Sequence, residues 1–102
     1  MLFRSPFTIS ADDHQLEDLK SRLAQTRWPD EVGSNWTYGT DKTFLMNLCD
    51  YWQHQYNWRI QEQRMNDFDH FTTIIEGRQL HFIHQRSPHE HAIPLEIGRA
   101  HV

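Results

Sequence analysis

The sequence predicts an α+β chain with an N-terminal arm, two to three helices and then a β-hairpin that would begin the sheet of a larger fold. Three observations support this order. Leucines recur at helical spacing across residues 16–23, and a wider apolar stripe runs through residues 44–56. Two β-prone runs flank the turn at residues 76–77. The apolar stripes exceed what a chain of 102 residues can cover by itself, so the predicted domain is incomplete.

The first predicted element is an extended arm over residues 3–9, where Pro6 favours an edge strand over a central one. Ser10 is then expected to cap the first helix, with Asp13 in the capping-box position. This helix should end near Arg27, because the next residue precedes a proline and therefore avoids the helical region.

Turn-forming residues dominate 29–40, which predicts a loop. Thr40 is expected to cap a second helix over residues 41–56, with an apolar stripe wide enough to be buried on more than one side. Asn57 interrupts that pattern and is expected to cap a third, shorter and mostly solvated helix that ends near residue 65.

The second half of the chain predicts a β-hairpin. Its strands are expected at residues 72–75 and 78–84, joined by a two-residue turn with glycine second. Alternation along the second strand places Leu80 and Phe82 on one face and the intervening residues on the other. Residues 85–92 predict a polar loop, and the Pro-Leu pair at 94–95 predicts the start of another strand.

Composition and charge exclude several classes of function. The net charge of −4 argues against a nucleic-acid binder, which would carry clustered Lys and Arg. No run of 18 apolar residues predicts a membrane span, and the first residues lack the apolar stretch of a signal peptide. The single cysteine, Cys49, fits a reducing compartment, so a cytoplasmic location is expected. Leu, Ile, Val and Phe make up only 23 of the 102 residues although four Trp are present, which predicts folding against a partner or against further chain.

Several collinear segments make the sequence resemble the N-terminal region of the microsomal-type epoxide hydrolases, which belong to the α/β-hydrolase superfamily. Each segment is short, but together they carry all four Trp residues in family order. The matching segments are residues 23–29, 36–39, 51–59, 66–71, Gly77, 80–84, 86–88 and 92–95.

The resemblance implies an epoxide hydrolase in which an Asp carboxylate opens the epoxide and a His-activated water then hydrolyses the ester to a diol. The family places this Asp in a Gly-x-Asp-x-Gly turn, which the sequence lacks, so no catalytic residue is assigned. The implied partner is a C-terminal α/β-hydrolase core beyond this region, and no cofactor is implied. Alone, the region is expected to be inactive; in the full family it would serve detoxification and the breakdown of aromatic hydrocarbons.

Two departures from the family pattern stand out. Asn57 replaces the usual Asp, and both residues cap helices well. After residue 95 the family continues into a His-Gly-Trp-Pro-Gly-like turn, whereas residues 96–102 match nothing in it. Residues 97–102 can be encoded by the opening of a widely used sequencing adapter, so 1–95 are expected to be the native domain and 96–102 a non-native tail.

The aromatic residues and glycines of the matching segments are expected to be structural packing anchors. A ligand groove is the alternative interpretation of the Trp residues. These anchors are Trp28, Pro29, Trp36, Gly39, Trp52, Tyr56, Trp58, Phe71, Gly77 and Phe82.

Eight histidines raise the question of a metal site, since four of them fall within residues 81–91. His81 and His84 lie three apart on a strand and should point to opposite faces, so no metal site is expected. Two other functional interpretations stay open. One is a stand-alone docking module for a separately encoded hydrolase core, and the other is an unrelated soluble helical domain, which would melt cooperatively. The sequence does not specify an oligomeric state.

Overall fold

The computed structural model describes residues 3–33 and 35–98, which form two compact units. The sheet unit comprises residues 3–7 and 68–98, and the helical unit comprises the described residues from 8 to 67. The α+β class is therefore confirmed, with the helices and the strands segregated into separate units.

The helical unit contains three α-helices, α1 (Asp13–Ala24), α2 (Lys42–His54) and α3 (Trp58–Asn66). A single 3-10 turn, Asn35–Tyr38, interrupts the segment between α1 and α2 that the sequence predicts to be a plain loop. None of the helices in the described part of the chain is long and apolar enough to cross a membrane.

The predicted start of α1 is wrong, because Asp12 and not Ser10 caps the helix. The Asp12 carboxylate accepts from the His14 backbone N–H at 2.7 Å, and the Gln15 side chain accepts from the Asp12 N–H at 3.1 Å. Backbone N–H groups on either side of Ser10 donate to side chains of α3, which keeps this segment extended. The capping box therefore begins two residues later than predicted.

The predicted end of α1 near Arg27 is also too late, since the helix ends at Ala24. The Gln25 N–H donates to the carbonyls of Ser21 and Arg22, and the Thr26 hydroxyl donates to the Leu23 carbonyl at 2.8 Å. These bonds satisfy the last helical carbonyls and close the helix before the proline is reached.

The ends of the other two helices follow the sequence more closely. Asp41 caps α2 by accepting from the Phe44 N–H at 2.9 Å, so the prediction of Thr40 is wrong by one residue. Asn57 caps α3 as predicted, and its side-chain oxygen accepts from the Arg59 N–H at 3.0 Å.

The sheet unit is a three-stranded antiparallel sheet in the order β1 (Arg4–Phe7), β2 (His70–Ile75) and β3 (Arg78–Ile83). The predicted hairpin is confirmed, and the N-terminal arm is an edge strand, as Pro6 predicts. Positive φ angles at Glu76 (50°) and Gly77 (75°) give the two-residue turn that matches the twist of the strands.

The C-terminal segment differs from the prediction. Residues 94–95 begin no strand, because described residues 84–98 join no β-ladder. Residues 96–98 have no regular structure, and residues 99–102 of the expected non-native tail lie outside the described residues.

Neither unit has a buried apolar core in the described parts of the chain. The buried side chains there are polar ones, Glu62, His70 and Thr73. By contrast, Leu48 and Trp52 of α2 are 48% and 43% exposed, although their positions form the apolar stripe of an amphipathic helix. The apolar faces that the sequence marks for burial are therefore uncovered.

Candidate functional site

The aspartates of the chain lie in structural positions that leave none as a nucleophile on a strand-to-helix turn. Asp12 and Asp41 are helix caps, and Asp18 pairs with Arg22 on the surface of α1 at 2.8 Å. No aspartate in the sequence has glycines at the Gly-x-Asp-x-Gly spacing. The described residues therefore offer no covalent catalytic centre of the type that the resemblance implies.

The main polar site is a carboxylate clasp in the helical unit, made of Ala11, Trp58, Arg59 and Glu62. Glu62 Oε2 accepts from the Ala11 backbone N–H at 2.8 Å and from the Trp58 indole N–H, also at 2.8 Å. Its Oε1 accepts from Arg59 Nη1 at 2.9 Å. The Glu62 side chain is only 12% exposed, so the clasp concentrates three donors on one nearly buried carboxylate.

The electrostatics of the clasp follow from these bonds. The Ala11 N–H, followed by Arg59 and Trp58, lowers the pKa of Glu62 below its ordinary value, although burial opposes this effect. Arg59 also donates to Asp13 at 2.6 Å; this bond and that to Glu62 raise its own pKa. A carboxylate with both oxygens occupied by donors is a structural fastening and a poor general base.

One turn further along α3, Asn66 makes a second fastening to the same extended segment. Its side-chain oxygen accepts from the Ile9 N–H at 2.9 Å, and its amide nitrogen donates to the Ile9 carbonyl at 2.8 Å. Trp58, Glu62 and Asn66 are spaced four residues apart and therefore share one face of the helix. This face binds the backbone of residues 9–11 and fixes the entry of the chain into α1.

An open groove of about 1150 Å³ lies within the helical unit. Leu16 and Leu19 of α1 contribute apolar walls, and α2 contributes Leu48 and Trp52. Trp58 at the start of α3 lines it as well. The groove combines the apolar faces of two helices, which is the property expected of a surface that another protein segment covers.

The structure divides the predicted packing anchors into two groups. Half-buried anchors are Trp28, Tyr56, Trp58, Phe71 and Phe82, and exposed anchors are Pro29, Trp36, Gly39, Trp52 and Gly77. Trp36 is 58% exposed yet contacts Phe44, with ring centroids 5.2 Å apart. Phe71 and Phe82 stack across the sheet at 5.7 Å. Their role as anchors for a further domain stays a prediction.

His70, His81 and His84 of the sheet unit make side-chain contacts. His70 Nδ1 lies 2.9 Å from His81 Nε2, and their rings stack at 5.1 Å. His84 accepts from Arg4, as its Nδ1 lies 2.6 Å from Arg4 Nη1. Within residues 3–33 and 35–98, no three His, Cys, Asp or Glu side chains converge as a metal site requires.

Sequence reasoning missed Glu62 and Asn66, the two residues that organise the helical unit. The third helix is predicted to be mostly solvated, and a Glu and an Asn on such a helix are ordinarily surface residues. The sequence does contain a pattern that could have identified them. Trp58, Glu62 and Asn66 are four residues apart, which places an indole donor, a carboxylate and an amide on one face of the helix.

Comparison with protein families gives a match to the family described as "Epoxide hydrolase N terminus" over residues 4–99. The chain is 40% identical over 92 residues to a Stigmatella aurantiaca protein provisionally named an epoxide hydrolase, a match over 89% of the chain and 21% of that protein. Rabbit (Oryctolagus cuniculus) epoxide hydrolase 1 is 34% identical over 84 residues, or 81% of the chain and 18% of the relative. The chain thus spans about a fifth of the length of these relatives.

Solved structures of epoxide hydrolases also match the chain. The epoxide hydrolase of Aspergillus niger matches with a TM-score of 0.78 and 34% identity, over 89% of the chain and 25% of that structure. The juvenile hormone epoxide hydrolase of the silkworm Bombyx mori matches with a TM-score of 0.68 and 24% identity, over 81% of the chain and 22% of that structure. At that identity the silkworm protein supports the fold alone.

Proposed function

Because the chain belongs to the epoxide hydrolase N-terminus family, we propose that it is the N-terminal region of an epoxide hydrolase and packs against a C-terminal α/β-hydrolase core. The observation that carries this proposal is the uncovered apolar face of α2. Leu48, Tyr51 and Trp52 are all more than 40% exposed, and they recur at helical spacing. A complete domain would bury such a stripe against its own core.

The role proposed for the chain is structural and not chemical. Epoxide opening by a carboxylate and hydrolysis of the resulting ester both need residues on the core, as the aspartates described above act as caps and surface ion pairs. The substrate class is an epoxide and the product a vicinal diol. A cytoplasmic location and a role in detoxification fit the single cysteine and the family, respectively.

The hydrogen bonds that Glu62 and Asn66 of α3 make support this role, because they hold the helical unit together without a buried apolar core. The Glu62 clasp and the Asn66 pair hold residues 9–11 by their backbone, whatever their side chains contact. The helices can therefore be prearranged to present the groove, so that less conformational entropy is lost when the core packs against them.

A chimeric enzyme tests the proposal. Residues 3–95 of the chain would replace the matching N-terminal region of the Aspergillus niger enzyme, with which the chain shares 34% identity. The chimera is expected to hydrolyse an epoxide, whereas the same core with no N-terminal region should not. An inactive chimera in soluble form would contradict the proposal.

Variants in that chimera locate the docking surface. Leu48→Asp places a charge on the α2 stripe and is expected to abolish soluble, active enzyme, since burying an unpaired charge is strongly unfavourable. Asn47→Asp adds the same charge at the neighbouring exposed polar position and should leave hydrolysis unchanged. Equal effects of the two variants would exclude the α2 stripe as the docking surface.

A second experiment tests the alternative of a stand-alone docking module. Residues 1–102 and the Aspergillus niger core would be supplied as separate chains. Recovery of hydrolysis on mixing would favour a stand-alone docking module. Activity only in the covalent chimera would favour a region that acts in the same chain as its core.

A further inference from the structure

The sheet unit contains two side-chain contacts that each need an unprotonated imidazole nitrogen. On one face, Arg4 Nη1 lies 2.6 Å from His84 Nδ1. A guanidinium group only donates, so His84 Nδ1 must be the acceptor. On the other face, His70 Nδ1 lies 2.9 Å from His81 Nε2, and one of these two nitrogens must accept.

Each contact joins different strands of the sheet. Arg4 belongs to β1 and reaches His84, the residue that follows β3, while its guanidinium also lies 4.2 Å from the centroid of the Phe71 ring. His70 of β2 contacts His81 of β3, whose ring meets Phe7 of β1 edge-on at 5.3 Å. Side chains from all three strands therefore converge on the two imidazole contacts.

We propose that the sheet unit is a pH-sensitive element in which protonation of these imidazoles releases both contacts and loosens β3 from its neighbours. This inference is independent of the proposed function, because it depends only on contacts within the sheet unit. Histidine is the side chain that most readily changes charge near physiological pH, so the imidazoles are the groups in these contacts that can take up a proton.

The two contacts respond to protons differently. A proton on His84 Nδ1 turns the acceptor into a donor that faces the Arg4 guanidinium, so that hydrogen bond becomes charge repulsion. One added proton on the His70–His81 pair leaves an N–H···N bond in place. A second added proton leaves two N–H donors and two positive charges facing each other.

The charged neighbours described for His81 and His84 do not offset this effect. From β1 the charged neighbour is the cation Arg4, and β3 adds further imidazoles. Asp69, just before β2, meets His84 through its backbone carbonyl, which accepts from the His84 N–H at 3.1 Å. In the described part of the chain, neither His81 nor His84 has a carboxylate side chain as an ion-pair partner.

Amide hydrogen exchange of the complete 102-residue chain tests the inference. Protection of the β2–β3 ladder amides, corrected for intrinsic exchange, would be compared at about pH 7.5 and about pH 5. Loss of one neutral hydrogen bond corresponds to roughly fivefold less protection, and loss of both contacts to more. Wild type is therefore expected to lose at least roughly fivefold protection at the lower pH.

Matched variants identify the groups responsible. His81→Gln and His84→Asn replace the two imidazoles by amides, which can still donate or accept a hydrogen bond but do not take up a proton. The double variant should keep its protection at about pH 5, whereas His89→Gln, at a polar loop position of the same unit, should behave as wild type. Protection that does not change with pH in wild type, or that falls equally in the double variant, would overturn the inference.

Discussion

The helical unit and the sheet unit are both stabilised by polar contacts, but the helical unit uses a carboxylate as the acceptor and the sheet unit uses imidazoles. In the helical unit an ionised carboxylate, Glu62, collects three donors. In the sheet unit His84 accepts from Arg4, and one of His70 and His81 accepts from the other. Protonation of the Glu62 carboxylate would remove an acceptor from all three donors, and the pKa of this group is lowered chiefly by the Ala11 N–H.

In both units, the residues that stabilise the unit differ from the residues that remain free to pack against a further domain. Among the described residues, the buried side chains are polar in both units, and the large apolar side chains are exposed or half-buried. Backbone recognition by Glu62 and Asn66 gives the helical unit a defined form, and ladder pairing does the same for the sheet. The apolar stripes are therefore available for packing against a core.

The largest effect is expected for Glu62→Ala. It leaves the Ala11 N–H and the Trp58 indole N–H without an acceptor in a nearly buried position, and Arg59 keeps only Asp13. Amides of α3 should lose roughly tenfold or more of their exchange protection. The ladder amides of the sheet unit provide an internal reference, and Glu17→Ala removes an exposed acid on α1 as a control. Equal losses in both variants would contradict the clasp.

Acid should reproduce part of this loss without a substitution. The folded-state pKa of Glu62 is lowered, so its contribution to stability is present above the unfolded value of 4.5 and is lost as pH falls through the folded pKa. Protection of α3 should therefore be constant between about pH 7 and 5 and should fall only below about pH 4.5. A fall of α3 protection near pH 6 that is absent in Glu62→Gln would contradict the lowered pKa of Glu62.

Asn66→Ala is expected to have a smaller effect, because it removes two neutral hydrogen bonds to Ile9. The expected loss is about 1–2 kcal/mol in the free energy of opening of α3, measured by hydrogen exchange. Asn66→Asp keeps an acceptor for the Ile9 N–H but turns a second oxygen towards the Ile9 carbonyl, so a loss at least as large as in Asn66→Ala is expected. Unchanged protection of α3 in both variants would contradict the pairing of Asn66 with Ile9.

The smallest effect is expected at the hairpin turn. Gly77 has φ of 75° and open space around its Cβ position, so Gly77→Ala adds only backbone strain, at about 1 kcal/mol. Ladder amides of β2 and β3 should report this loss. Gly98→Ala, at a glycine that also has open space, is the control and should leave the ladder unchanged. An unchanged ladder in both variants would contradict the turn geometry.

The sequence is sufficient for the elements with strong local signals. Glycine after an exposed polar residue between two β-prone runs defines the hairpin, and Asn57 ahead of a helical stretch defines a cap. The family resemblance is likewise confirmed by the match over residues 4–99. At these two elements no distant contact competes with the local signal.

Contacts between distant residues account for the errors. Ser10 is a good cap by type, but α3 holds residues 9 and 11 in an extended form, and these partners lie more than fifty positions away in the sequence. From its residue type alone Glu62 is expected to lie on the surface, and only its contacts with Ala11 and Trp58 show that it is buried. Pairing of His70 with His81 likewise depends on the register of β2 and β3, which a single sequence does not specify by itself.

The proposed function requires that the apolar faces of the chain form an interface left open for a hydrolase core. Fluorescence of 1-anilinonaphthalene-8-sulfonate measures exposed apolar surface directly. The 102-residue chain is expected to bind the dye with a strong, blue-shifted emission, and the active chimera with the Aspergillus niger core should lose that emission. A chain that gives no enhancement by itself would contradict the claim, because its apolar faces would then already be covered.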